Sequence, residues 1–267
     1  MEQLMQVQWG SFSTLHIITL IISLVAVPLT LYFTLKNRSE KTKRIVLFIC
    51  SLWGPTAVLY SFFVWGSQTS YLEYLPFHMC AINAMLIPVL IITKSKLLGN
   101  MLPLFSLGAL FALVFNTFQA DYRIFSMVFA CYYFAHTFEL CIPFLLIKFG
   151  IVKTHPKYIL PSVGLTFAFY TVAHFVNLWV NNYIEVHQLT NIYGEPIIPD
   201  VDYMFTPGPS GNPALEFFWN ILPYPYFYLL TTAPIIAAYY SLLNLNHIVK
   251  WIKGIIANKK AKTQSNG

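Results

Sequence analysis

The chain has 267 residues, 57% of them hydrophobic and only 10% charged, with a mean hydropathy of +0.61. Soluble domains carry charge on about a quarter of their residues, so this composition excludes an ordinary soluble domain and predicts an all-α, polytopic membrane helix bundle. The net charge of +6 does not point to nucleic acid, because the basic residues sit in short loops between apolar runs.

A spanning helix needs about 20 mostly apolar residues. Seven such runs follow in chain order, at residues 12–35, 45–66, 75–93, 99–118, 124–147, 158–180 and 225–245. The segment ahead of the first has no basic stretch and no small-residue cleavage site, and a basic cluster follows the run. It is therefore expected to be a retained helix and not a signal peptide. The whole chain is expected to form one multi-pass domain of the cell membrane.

Charge tests the count. In a seven-helix arrangement fifteen of the sixteen Lys and Arg residues fall on one side, in the segments after the first, third, fifth and seventh runs. Only Arg123 falls opposite. The positive-inside rule then predicts an N-terminus outside and a C-terminus in the cytoplasm. On the outer side, residues 181–212 form the one long loop, without Lys or Arg and with Pro196, Pro199, Pro207 and Pro209. So many fixed φ angles suit a stiff lid better than a tether. A short aromatic helix is expected at 214–222, capped by Asn212 and Pro213. After the last run, residues 246–267 place Ile248, Trp251 and Ile255 against Lys250 and Lys253, the pattern of an interfacial helix.

Polar residues inside the runs are the candidates for function, because ionisable groups in hydrocarbon are expensive. His16, His78 and His174 fall in the outer halves of the first, third and sixth runs, and His136 near the middle of the fifth. Glu139 shares a helix face with His136 at i,i+3 spacing, and is the one carboxylate expected within the hydrocarbon. The pair fits either a catalytic group or a polar clamp between helices. His174, Asn177 and Asn181 form a stripe at i, i+3, i+7, which Asn116 would join. Such a stripe either bonds neighbouring helices or lines a cavity open to the outside. In the third run Cys80 and Asn83 share one face and His78 lies on another. A nucleophilic Cys80 would therefore need a histidine from a different helix, His136 or His174. The four cysteines all lie in apolar runs without a CxxC pair, so neither a disulfide nor a thiolate metal site is expected.

The segment Leu75-Pro-Phe-His-Met-Cys80 resembles the LPLHxC motif of bacterial YwaF-like integral membrane proteins. The stretch from Asp202 to Leu229 is similar to the NYM…P…PWP–Y region of that family, with Asp202 where asparagine is more usual, and His136 matches its fifth-helix histidine. The eukaryotic relatives resemble transmembrane protein 164, which implies transfer of fatty acyl groups between phospholipids by a cysteine and a histidine. In the eukaryotic motif the cysteine directly precedes the histidine. Here Phe77 precedes His78, and the cysteine is Cys80.

Two principal readings result. In one the protein is a lipid acyltransferase or transacylase with a histidine-lined cavity open to the outer leaflet. Cys80 forms the thioester, His136 or His174 acts as base, His78 or the asparagines steady the oxyanion, and Asn83, Asn116, Glu139 and Asn177 bind the substrate. In the other the same cavity binds or transports a small solute or lipid without covalent chemistry. A third, a seven-helix zinc hydrolase, would use the histidines as ligands, but no HxxxH occurs. The expected partner is a membrane phospholipid or acyl lipid, with no cofactor and no nucleic acid.

Overall fold

The computed structural model describes residues 6–7, 12–115, 122–123, 126–210 and 213–265. Helices dominate: α1 (Thr14–Leu35), α2 (Glu40–Trp65), α3 (Met79–Thr93), α4 (Lys96–Phe115), α5 (Met127–Lys148), α6 (Ile159–His187), α7 (Pro213–Ile221), α8 (Phe227–Leu243) and α9 (Leu245–Ser265). Three of them start on a serine whose hydroxyl accepts from a backbone N–H three residues on: Ser13 from His16, Ser39 from Thr42 and Ser126 from Phe129. Each cap satisfies one of the four donors that a helix start leaves open. Among the described residues the one sheet is a pair of two-residue strands, Gln6–Val7 antiparallel to Tyr122–Arg123.

Among the described residues five helices, α1, α2, α4, α5 and the α6 segment, are long and apolar enough to cross a membrane. The bent pair α8–α9 makes a sixth if taken as one span. The remaining run of the expected seven holds α3, which has only 15 residues. At 1.5 Å per residue that is about 22 Å, short of a hydrocarbon core of about 30 Å. The difference arises at Pro76: Leu75–His78 is irregular, and the helix begins only after His78, whose backbone is extended. The helix ends expected at 118 and 124 and the cap expected at Asn212 lie outside the described residues. At the other boundary the structure extends the reading. α6 has 29 residues and runs to His187, so the first turns of the expected outer loop are helical. Buried Val180 and Ile184 carry the core face of α6 through those turns.

Contacts divide the bundle into two ends. At one end the Gln6–Arg123 strand pair meets, Ile192 donates its N–H to the Gln68 carbonyl, and Tyr203 bonds Leu72 and Leu75. At the other end Lys94 pairs with Glu40, Arg44 donates to the Ile91 and Ile92 carbonyls at the end of α3, and Asn244 donates to Asn100 Oδ1 at 2.6 Å. A cation on the open carbonyls of a helix C-terminus opposes the helix dipole favourably.

Between the ends, small residues let helices approach. A Cβ on Gly54 of α2 would stand 2.9 Å from Ala84 Cβ of α3, the close contact that membrane bundles use where lipid offers no hydrophobic drive. Pro143 in α5 cannot donate to the carbonyl of Glu139 four residues back. Ser106 of α4 and Asn83 of α3 restore that bond from the side, at 2.7 and 3.4 Å. The three helices are thereby joined at one backbone oxygen.

Candidate functional site

Two groups of polar side chains result, and the structure distributes the candidate residues between them. The first lies where α3, α4 and α5 meet. Asn83 and Ser106 are fully buried and Glu139 is 4% exposed. Cys80 is half-buried and lies one turn before Asn83 on the same face. Asn83 donates weakly, at 3.4 Å, to both Ser106 Oγ and the Glu139 carbonyl. The break at Pro143 explains those contacts. It does not explain Asn83 Oδ1 and Glu139 Oε2, which are buried and have no hydrogen-bond partner among the described residues.

His136 stands one turn from Glu139 on α5. Its Nδ1 lies 2.7 Å from the Tyr132 carbonyl on its own helix. A carbonyl accepts only, so Nδ1 carries the proton and Nε2 holds the free lone pair. That is the tautomer a general base requires. Tyr132 is itself fixed, through its hydroxyl, to the Ala112 carbonyl of α4.

The second group joins α6 to the loop that follows it. Asn177 donates to the Tyr203 carbonyl (2.9 Å) and to Thr206 Oγ1 (2.8 Å), and accepts from the Tyr203 N–H (2.9 Å). Asn181 does the same with Val201, accepting from its N–H at 2.8 Å and donating to its carbonyl at 3.0 Å. The match is geometric: four helical residues rise about 6 Å, close to the advance of two extended residues. Two amides on one helix face therefore meet alternate residues of the loop. His174 completes the row, with Nδ1 3.3 Å from Thr206 Oγ1 and its ring against Tyr226. Asn177 was expected to hold substrate. Both its N–H bonds and its carbonyl are engaged by the chain, which gives it the role of a loop clamp.

Tyr203 links this row to α3. Its hydroxyl donates to the Leu72 carbonyl and accepts from the Leu75 N–H at 3.0 Å, and the His78 ring packs edge-on against it with centroids 5.0 Å apart. Burial holds the Tyr203 phenol well above its ordinary pKa, so it stays a donor. Met204 and Phe205 follow with positive φ, and Tyr228 donates to the Phe205 carbonyl. Left-handed backbone at two bulky residues is costly and persists only where surrounding bonds fix it. Further along the loop, burial raises the Asp202 carboxyl above the usual range, against a lowering hydrogen bond from Ser210.

Of the candidates, then, His78, His174 and Asn177 gather around residues 203–206, while Cys80, Asn83 and Glu139 gather in the bundle with His136 one turn away. Asn116 lies outside the described residues. His16 is a clamp: Nδ1 accepts from the Phe12 N–H at 2.8 Å, and Nε2 lies 2.8 Å from the Leu113 carbonyl of α4. Two open grooves are lined without histidine. One, of about 550 Å³, runs between α1 and α5. The other, of about 670 Å³, lies between the α2–α3 turn and the end of α6. Among the described residues no three His, Cys, Asp or Glu side chains are grouped to hold a metal ion.

Ser106, Tyr203 and Thr206 were not among the candidates. Pro143, four residues after Glu139, was a signal for Ser106, since a proline-freed carbonyl in a membrane needs a donor from elsewhere. No local signal marks Tyr203 or Thr206 as partners of α6.

No curated protein and no solved structure matches this chain significantly. The model of the TMEM164 family, in contrast, matches residues 11–243, from just ahead of α1 to the last residue of α8. A match over that much of the chain, on a bundle of apolar membrane helices, establishes that this protein belongs to the TMEM164 family.

Proposed function

We propose that the protein crosses the cell membrane seven times and moves acyl groups between membrane lipids through Cys80. The topology reading is supported by the division of contacts between two ends, and by the way Tyr203 satisfies Leu72 and Leu75 where irregular backbone precedes α3. Non-helical backbone at membrane depth is tolerated when it is buried in protein. A reporter fused after Gly267 is expected to read cytoplasmic, and one inserted at Gly194 external. Both on one side would remove the seven-crossing arrangement.

The observation that carries the chemical reading is the α3–α4–α5 junction. A half-buried thiol there lies one turn from a buried amide, and that amide's Oδ1 and the Glu139 Oε2 have no hydrogen-bond partner among the described residues. In the proposed cycle His136 Nε2 takes the Cys80 proton and the sulfur attacks the ester carbonyl of a donor phospholipid. The ester C–O bond breaks, and the lysolipid leaves with the proton from His136. An acceptor lipid hydroxyl then gives its proton to His136 and attacks the thioester; the C–S bond breaks, and the Cys80 sulfur takes its proton back from His136. Asn83, whose N–H contacts are long, turns to the developing oxyanion.

Trapping tests the thioester route directly. A long-chain 2-bromoacyl probe is expected to label the intact protein at Cys80, and to lose most of that labelling in His136→Ala. Undiminished acyl transfer by Cys80→Ala would remove covalent cysteine catalysis and favour non-covalent lipid or solute binding.

A further inference from the structure

The last helix lies beyond the family match and belongs to neither polar group. α9 leaves α8 at a bend of 76°. The corner is fixed: Asn244 is fully buried and donates to Asn100 Oδ1 of α4 at 2.6 Å and to the Tyr240 carbonyl at 2.9 Å. It therefore sits at the end of the bundle where Lys94 meets Glu40 and where His247 packs near His155, with ring centroids 6.1 Å apart. A helix nearly perpendicular to a spanning helix runs along the membrane and not through it.

Its faces suit that course. Leu245, Val249, Trp251, Ile252, Ile255 and Ile256 are all exposed, Trp251 at 67%. At 100° per residue they fall within an arc of about 160°. Among the described residues, no α9 side chain belongs to the hydrophobic core. Lys250 and Lys253 are exposed outside that arc, Lys259, Lys260 and Lys262 follow in sequence after the last apolar residues of the arc, and the sequence from 245 to 267 contains no Asp or Glu.

We infer that α9 is a docking helix for the anionic surface of the adjoining leaflet, with its apolar arc in the acyl boundary, Lys250 and Lys253 on acidic phospholipid headgroups, and the charge of the lysines after residue 258 adding to the attraction. The corner at Asn244 holds the helix at the height where this occurs. Apolar burial alone would be indifferent to headgroup charge. A row of lysines without an acid among them is not, because an anionic leaflet attracts each of them. The inference is independent of Cys80 chemistry.

The test is hydrogen exchange of the full chain in nanodiscs of phosphatidylcholine alone and with roughly one-third phosphatidylglycerol. Amides of 245–258 are expected to exchange about ten-fold more slowly in the anionic discs. The difference should vanish at about 1 M salt, where screening reaches about 3 Å. It should vanish too when Lys250, Lys253, Lys259, Lys260 and Lys262 are all changed to Gln, while exchange in α5 stays unchanged in every case. Equal exchange in the two lipids, or slowing that survives the five substitutions, would overturn the inference.

Discussion

His136→Ala is expected to lower lipid acyl transfer by roughly 10²–10⁴-fold, the usual contribution of a general base, with the protein still folded. The ring's anchor is the carbonyl of Tyr132 on its own helix, so its removal breaks no bond between helices. Tyr132 keeps its own tie to Ala112. Transfer of a labelled acyl chain between phospholipid and lysophospholipid in proteoliposomes would measure the loss, and the midpoint of thermal unfolding would show that the bundle stands. His136→Gln should be as inactive, because an amide hydrogen-bonds but cannot take up a proton near neutral pH. If either variant transfers at the wild-type rate, His136 is not the base. Should transfer fall only together with the unfolding midpoint, the histidine serves packing and the catalytic assignment fails.

The second large effect concerns stability. Asn177→Ala is expected to destabilise the protein by about 2–5 kcal/mol, since it leaves the N–H and carbonyl of Tyr203 without their partner and each buried unpaired group costs about 1–3 kcal/mol. Tyr203 is fully buried, so water cannot substitute. Its neighbours add to the loss: Thr206 Oγ1 loses a donor, and the positive φ at Met204 and Phe205 loses part of what enforces it. Asn181→Ala, whose amide is only half-buried, should cost less. Unfolding in mild detergent, followed by proteolysis of the loop, would rank the two. Equal and small effects would show that the loop is held by its apolar contacts.

These predictions rest on information of different kinds. The row His174, Asn177 and Asn181 was legible in the sequence, because i, i+3, i+7 spacing fixes three side chains on one helix face whatever surrounds it. What the row faces was not legible. Its partners Val201, Tyr203 and Thr206 lie about 20 to 30 residues further on, and the pairing depends on the loop running antiparallel to α6 at a matching rise. A lining for an open cavity and a clamp for a loop leave the same mark on the helix. Likewise, the shared face of Cys80 and Asn83 followed from periodicity, whereas their junction with Glu139 came from three helices meeting at the carbonyl that Pro143 frees.

The sequence by itself determined that this is a membrane helix bundle, where most apolar runs lie, and which polar residues each helix carries at which depth. Composition, run length and helical period are properties of a single chain segment, and hydrocarbon tolerates few alternatives to a helix. Tertiary structure decided which of those polar residues meet. It made His16 a clamp between α1 and α4, joined His78 and His174 to the loop at 203–206, and tied the His136 ring to the Tyr132 carbonyl of its own helix. It also shortened the third run to 15 residues. The physical reason is that a buried polar group must find its partner wherever packing presents one, and in a bundle of this kind that partner is usually on another helix or a distant loop.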